Sequence, residues 1–540
     1  MDLRATVGCP QEWSFRAAKA CDDPFNKIDL DVVVTGPSGQ AMTMPAFWSG
    51  GDVWRVRFAA QEPGAHTWRT VCSDASDEGL HGVEGSLTAR PYEGCNPLLA
   101  KGAVRVAASQ RYLEHADGTP FFWLADTWWM GLCKRITWPG EFQMLVADRV
   151  AKGFSTIQIV AGLYPDMGAY DERGLNEAGF PWEPDWARIN PAYFDMADLR
   201  IDYLVRSGLM PAIVGCWGYY LPLLGLERMK KHWRYLVARW ASHPVVWCIA
   251  GEVLMPYYLD FPQPPEWQEK YAAEMKAGWS EMAAYVKALD PYKHVMTGHP
   301  GNSVRKSLED EVLDIDWLQT GHGDRASLPP TVQLVVESYA MEPAKPTINS
   351  EVNYEGIGEA SRQEVQRMAF WLSVLNGTCG HTYGANGIWQ FNGATQPYGA
   401  SPHGMAWGDT PWEEAFQLPG SKQMGIAKAL LERYRWWEFV PHKEWMEPHW
   451  SPENYLAPHA AGIEKQVKII YMPGFMWGGF KVCGLEPGVK YHAYYFDPKN
   501  GREYEIGEAV GDEEGKFAPP ASKIFQDWII VLEADGARVC

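Results

Sequence analysis

From Phe121 onward the chain alternates short, nearly continuous apolar runs with longer stretches of helical period, the pattern of parallel strands joined by covering helices. Eight runs are predicted as strands: Phe121–Ala125, Ser155–Val160, Met210–Gly215, Val245–Ala250, His294–Gly298, Ile315–Thr320, Thr347–Ser350 and Gly380–Tyr383. Helices are predicted between them, among them Phe142–Ala151, Leu226–Trp240, Trp267–Leu289 and Glu364–Leu375. The last opens on Ser361-Arg362-Gln363-Glu364, which reads as a capping box, and closes at Asn376-Gly377. Eight such units predict an α/β fold, a (β/α)8 TIM barrel over residues 101–437. A doubly wound open sheet is the alternative, but no Gly-rich phosphate loop follows the first strand.

The flanks have a different period. Residues 1–100 alternate strand-like runs with turn signals: Ile28 to Thr35 before Gly36-Pro37-Ser38-Gly39, Phe47-Trp48 before Ser49-Gly50-Gly51-Asp52, and Val53–Phe58 before Pro63-Gly64. That spacing predicts an N-terminal β-sandwich. After Trp436-Trp437 the helical period ends, and Val467–Tyr471, Val489–Phe496 and Trp528–Leu532 are predicted strands, with Asp497-Pro498-Lys499-Asn500-Gly501 a turn. Residues 438–540 are therefore expected to form a second β-sandwich.

The predicted barrel carries two carboxylates in equivalent places. Glu252 ends the fourth strand and Glu351 the seventh, and those strands face each other across a barrel. Hydrolysis of a glycosidic bond needs such a pair: one carboxylic acid protonates the leaving oxygen and the other attacks or stabilises the anomeric carbon. Glu351 is expected to be the ionised nucleophile of a retaining enzyme and Glu252 the acid/base. Polar and aromatic residues gather at the same edge as expected substrate contacts: Asp126, Trp128 and Trp129 at strand one, Gln158 in strand two and Trp217 after strand three. His299, His322, Asn353, His381, Tyr383 and Trp389 follow strands five to eight or lie on them. Each alone is more often a packed core residue than a ligand. The three histidines offer a metal set as an alternative, but without the tight spacing that a catalytic zinc requires, so no metal or cofactor is expected. The loops after the second and eighth strands are long and aromatic, as a binding face requires.

Composition narrows the partner. The 540 residues carry a formal charge of −19, which disfavours nucleic acid and anionic membrane surfaces. The 27 tryptophans suit a carbohydrate, because sugar ring faces stack on aromatic planes. The ten cysteines, from Cys9 to Cys540, show no CxxC pair, so neither structural zinc nor a disulfide framework is expected. No apolar h-region opens the chain and no 18-residue apolar run exists, which makes a cytoplasmic location the expectation. Oligomeric state is open.

Several stretches together resemble one family. Phe122-Trp123-Leu124-Ala125-Asp126-Thr127-Trp128-Trp129, Gly153-Phe154-Ser155-Thr156-Ile157-Gln158, Trp247-Cys248-Ile249-Ala250-Gly251-Glu252 and Asn349-Ser350-Glu351-Val352-Asn353-Tyr354-Glu355-Gly356 are similar to motifs of the apiosidase-like glycoside hydrolases. So are Gly380 to Trp389 and Leu418 to Met424. The resemblance implies an N-terminal β-sandwich, a catalytic barrel and a C-terminal sandwich of collagen-binding type. It implies a glycosidase with catalytic carboxylates at Glu252 and Glu351; the reading adopted is exo-action on a plant-derived oligosaccharide or glycoside, taken up first, since family members are usually exported and no export signal opens this chain. Gly251 departs from the wider clan, where an Asn before the acid/base residue contacts the sugar's 2-hydroxyl. Two rival functions stay open: a non-catalytic carbohydrate-binding protein on the same scaffold, and a sugar lyase or isomerase using His322 or Tyr383 as base.

Overall fold

The structure, a computed structural model, describes residues 2–258, 263–474, 479–522 and 524–539; Met1 and Cys540 lie outside the described residues. Its centre is an eight-stranded sheet of parallel neighbours: β1 (Trp123–Trp128), β2 (Thr156–Val160), β3 (Met210–Val214), β4 (Val246–Cys248), β5 (Met296–Thr297), β6 (Asp316–Gln319), β7 (Thr347–Glu351) and β8 (Gly380–Tyr383). β1 pairs with both β2 and β8, so the sheet curls on itself rather than lying open, which removes the doubly wound alternative. The seam between β5 and β6 is closed by Asp314. Its N–H donates to the Met296 carbonyl at 2.9 Å and its carboxylate accepts the Met296 N–H at 2.8 Å.

Helices cover the barrel: α1 (Gly140–Ala151), α2 (Pro191–Arg206), α3 (Leu226–Trp240), α4 (Pro265–Leu289), α5 (Val304–Ser307), α6 (Leu328–Ala340), α7 (Gln363–Val374) and α8 (Pro419–Leu431). The strands read as continuous apolar runs because both faces are covered, and every residue of β1, β2, β3 and β7 is buried. Two local expectations change. The predicted first strand straddles two elements, since Pro120–Phe121 closes a small antiparallel sheet with Leu113–His115 while β1 begins at Trp123. The predicted capping box is absent. Ser361 has φ +53°, its N–H is taken by Asp324 Oδ1 at 3.1 Å, and the N-cap position falls on Arg362 with no side-chain cap.

Before the barrel, a five-stranded sheet faces a three-stranded one formed by Gln11–Arg16, Val53–Phe58 and Phe47–Trp48. Period-two alternation turns Trp13 and Phe15 inward, where both rings meet Trp68 at 5.6 Å. After the barrel, Val467–Met472 and Trp528–Ala534 lie inside a six-stranded antiparallel sheet. Alternate residues point to different partners: Ile469, Tyr471, Ile529 and Val531 join the barrel's core, and Ile470, Trp528, Ile530 and Leu532 form a second core under a two-stranded sheet. The sandwich's second layer is thus small, and the barrel covers the other face. The Arg367 guanidinium on α7 grips Asp527 through two hydrogen bonds of 2.7 and 2.8 Å across that contact.

Candidate active site

The C-terminal ends of the barrel strands open into a cavity of about 170 Å³ whose wall includes Glu252, Glu351 and four tryptophans. Glu351 is the last residue of β7 and only 4% exposed. His299 Nε2 lies 2.6 Å from its Oε2, and His322 Nε2 lies 3.1 Å from its Oε1. The Tyr354 hydroxyl donates to Oε1 and is itself held by the Trp129 indole N–H at 2.8 Å. Burial alone raises this carboxyl's pKa, but the charge and close contact of His299, joined by His322, outweigh it and hold the group well below the usual range. Glu351 is an anion at any ordinary pH.

Glu252 follows β4 with φ +40°, a conformation that costs energy for a side-chain-bearing residue and that clusters at working sites. The Trp217 indole donates to its Oε2 at 3.1 Å. Burial and then the negative charge of Glu351 push its pKa up, against smaller pulls from His299, Gln319 and Trp217. Two carboxyls in one cavity are thus driven apart in acidity, the arrangement that separates an acid from a nucleophile.

Gln319, at the end of β6, joins them. Its side-chain amide donates to Glu252 Oε1 at 3.1 Å and to Glu351 Oε2 at 3.2 Å. These two oxygens are therefore no farther apart than the sum, 6.3 Å. Gly251 also has a physical reason. A Cβ there would sit 2.2 Å from Cε3 of the Trp217 ring. The ring fills the space a side chain at 251 would need, and its N–H reaches the acid/base candidate instead.

Of the expected substrate contacts, Trp129, Trp217, His322 and Trp389 line the cavity, and His299 stands directly behind Glu351. The others do not. Asp126 and Trp128 face the helices: Asp126 is paired with Arg149 of α1 at 2.6 Å, and the Trp128 ring packs on Phe142. His381 and Tyr383 face the same way on β8, one against Phe370 of α7 and the other donating to Glu355 Oε2 at 2.6 Å. Tyr383 is thus not placed to act as a base on a bound sugar. The intervening Thr382 points inward and receives the amide of Gln158 at 2.8 Å, which places Gln158 in the barrel core. Asn353 clamps the backbone of Asp324, donating to its carbonyl at 3.0 Å and accepting its N–H at 2.9 Å. Sequence reasoning missed Gln319 and Tyr354, and placed Asp166 only in the polar, aromatic loop after the second strand, with no role of its own. The polar residue ending β6 was the available signal for the first, and the spacing of three from Glu351 for the second. Among the described residues no group of three or more His, Cys, Asp or Glu side chains is placed to hold a metal ion. No helix of the described residues is long and apolar enough to cross a membrane.

A parallel eightfold barrel with glutamates of opposed acidity at the ends of its fourth and seventh strands is the framework of a glycoside hydrolase. The chain belongs to the apiosidase-like family, whose catalytic-domain model matches residues 107–438. Residues 9–73 match DUF5060, a domain of unknown function, and residues 483–533 match a collagen-binding-type domain described from a collagenase. Among solved structures, a glycoside hydrolase aligns at 23% identity over 82% of this chain and 99% of its own, with a TM-score of 0.65. A family 5 glycoside hydrolase from Bacteroides vulgatus aligns at 22% identity over 82% and 95%, with a TM-score of 0.67. A candidate glycoside hydrolase from the same organism aligns at 17% identity over 98% and 100%, with a TM-score of 0.70. At these identities the likeness concerns the fold. No curated protein matches the chain.

Proposed function

We propose that the protein is a retaining, exo-acting glycoside hydrolase of plant-derived oligosaccharides or glycosides, with Glu351 as nucleophile and Glu252 as acid/base. The observation that carries this is the Gln319 bridge. One amide nitrogen reaches an oxygen of each carboxyl, at 3.1 and 3.2 Å, so both groups face the same small space, as a pair acting on one glycosidic bond must. In the first step the Glu351 carboxylate attacks the anomeric carbon while the Glu252 carboxylic acid gives its proton to the glycosidic oxygen, and the alcohol departs. Esterification removes the charge on Glu351, which is one of the two causes of the raised Glu252 pKa. Glu252 is then more acidic, holds its proton less, and takes one from the incoming water. Attack by that water on the anomeric carbon breaks its bond to Glu351, frees the carboxylate and releases the sugar with its configuration retained. A cavity of about 170 Å³, walled by aromatic rings, suits one terminal sugar ring. Residues 101–437 are assigned the chemistry, and residues 1–100 and 438–540 a supporting role.

A panel of aryl glycosides and plant oligosaccharides, read by released reducing sugar, tests the activity, and NMR of the first-formed anomer tests retention. Glu351→Gln is expected to abolish turnover of any substrate the wild type cleaves. Full activity in that variant, or an inverted first product, sinks the assignment.

A further inference from the structure

Among the described residues of the cavity wall, Asp166 is the one acidic residue that the proposed chemistry does not use. Three chain segments meet on it. It lies in the loop after β2 with φ +61°, its N–H donates to the Tyr258 hydroxyl at 2.8 Å from the loop after β4, and its Oδ2 accepts the Trp407 indole at 3.0 Å from the loop after β8. Asp166 and Glu252 are the only described residues of the wall with positive φ. The side chain is 3% exposed, and Oδ1 has no hydrogen-bond partner of good geometry, although the Ser401 hydroxyl lies beside it. Burial raises the carboxyl's pKa against the pulls of Ser401, Trp407 and Arg173. A buried carboxylate oxygen met only by the neighbouring Ser401 hydroxyl keeps accepting capacity that a ligand hydroxyl would take up.

The rest of the wall says what kind of ligand. Among the described residues it holds three carboxyl groups, Asp166, Glu252 and the ionised Glu351, and no lysine or arginine, with His322 and His403 its only basic side chains. Arg173, the arginine nearest in role, is held by Asp171 through contacts of 2.7 and 3.0 Å and lies over the Tyr398 ring, outside the wall. A sugar carrying its own carboxylate would enter against like charge in a water-poor cavity. A neutral sugar meets apolar indole faces and an acceptor for its hydroxyls. Resting on the glycosidase reading of this cavity, we propose that the glycone is a neutral, hydroxyl-bearing sugar rather than a uronic acid, and that Asp166 is the substrate-binding residue that accepts hydrogen bonds from its ring hydroxyls.

The test uses the full chain and matched pairs of aryl glycosides, glucoside with glucuronide and galactoside with galacturonide, together with arabinofuranosides and monodeoxy analogues of the best substrate. Wild type is expected to prefer the neutral member of each pair by at least about 100-fold in kcat/KM. Asp166→Ala should lose about 10- to 100-fold on the neutral substrate, the weight of a hydrogen bond to a charged group. One monodeoxy analogue should be as poor for wild type as the parent sugar is for Asp166→Ala, with no further loss when both changes are combined. Trp407→Phe, which keeps the carboxylate, should keep the preference for neutral sugars, and melting temperatures check that the variants are folded. Equal use of uronides, or a loss in Asp166→Ala that is the same for every deoxy analogue, overturns the proposal while leaving the hydrolase reading intact. Should wild type cleave no glycoside, the hydrolase reading fails, and saturation-transfer NMR with the free neutral sugars and uronic acids still decides whether Asp166 selects between them.

Discussion

His299→Phe isolates the group that keeps Glu351 ionised. The ring is fully buried, edge-on to Trp129 at 5.4 Å and to Trp317 at 6.3 Å, and tilted against Trp217 at 5.8 Å. Phenylalanine fills nearly the same volume, so the packing stays and only the 2.6 Å contact from Nε2 to the carboxylate is lost. A hydrogen bond to a charged group is worth about 1.5–3 kcal/mol. Losing this contact raises the Glu351 pKa, with His322, Tyr354 and Gln319 still in place. The sign follows from the role. A nucleophile must be ionised, so the acid limb of kcat/KM, which reports the free enzyme, moves upward from far below neutral. Because His299 also lowers the Glu252 pKa, its loss shifts the alkaline limb upward as well. The assay is kcat/KM across pH 3 to 10 on one good aryl glycoside, beside a thermal melt. If the variant loses activity by the same factor at every pH and its alkaline limb stays where it is in wild type, His299 is a packing residue and the ionisation argument fails.

Two further predictions concern groups on either side of the cavity. Glu355 is buried and its pKa is pushed up to about 6 by burial, against the Tyr383 hydroxyl and the Gly420 N–H at 3.0 Å. A carboxyl raised in the folded state contributes its full stability below the unfolded value near 4.3, and that contribution is lost as pH rises through the folded value, about 2 kcal/mol in all. Glu355→Gln keeps an acceptor for both donors, so denaturant melts should show it gaining on wild type between pH 4 and pH 8, and a gap that does not grow with pH would falsify the cause. Gly251→Ala places a carbon against the Trp217 ring, an overpacking expected to cost about 1–3 kcal/mol. Its melting temperature and kcat/KM should both fall, the latter at least about tenfold, and a variant as stable and active as wild type would show that the ring yields freely.

The barrel was legible because burial on both faces writes each strand as a run of apolar residues bounded by polar ones. Gly380–Tyr383 and Leu226–Trp240 were placed to the residue. Boundaries slipped where a different force took over. At Phe121 an antiparallel pairing with Leu113 ends one element before the barrel begins, and the apolar run continues through both. At Ser361 the amide is captured by Asp324, a residue 37 positions away, and no local pattern announces that. In the C-terminal sheet the apolar run reflects two different covers, the barrel on one face and a short ladder on the other.

The candidate site was half legible, for one reason that runs through every miss. A strand end can be recognised from composition, but which of two adjacent residues points inward depends on register, and a shift of one residue exchanges the faces. Glu351 and Gln319 lie at the mouth of the barrel and turn into the cavity; Asp126, Trp128, His381 and Tyr383 lie one residue out of phase with the inward-pointing Thr382 and meet the helices instead. Their chemistry is not wasted there. Asp126 and Arg149 tie α1 to β1, and Tyr383 and Glu355 tie the start of α8 to β8, so the same polar residues hold the scaffold under the loops that carry Asp166 and Trp407. Polar residues at a barrel's rim therefore come in two sets, one that faces the substrate and one that fixes the wall, and only the inward set is expected to change kcat without changing stability.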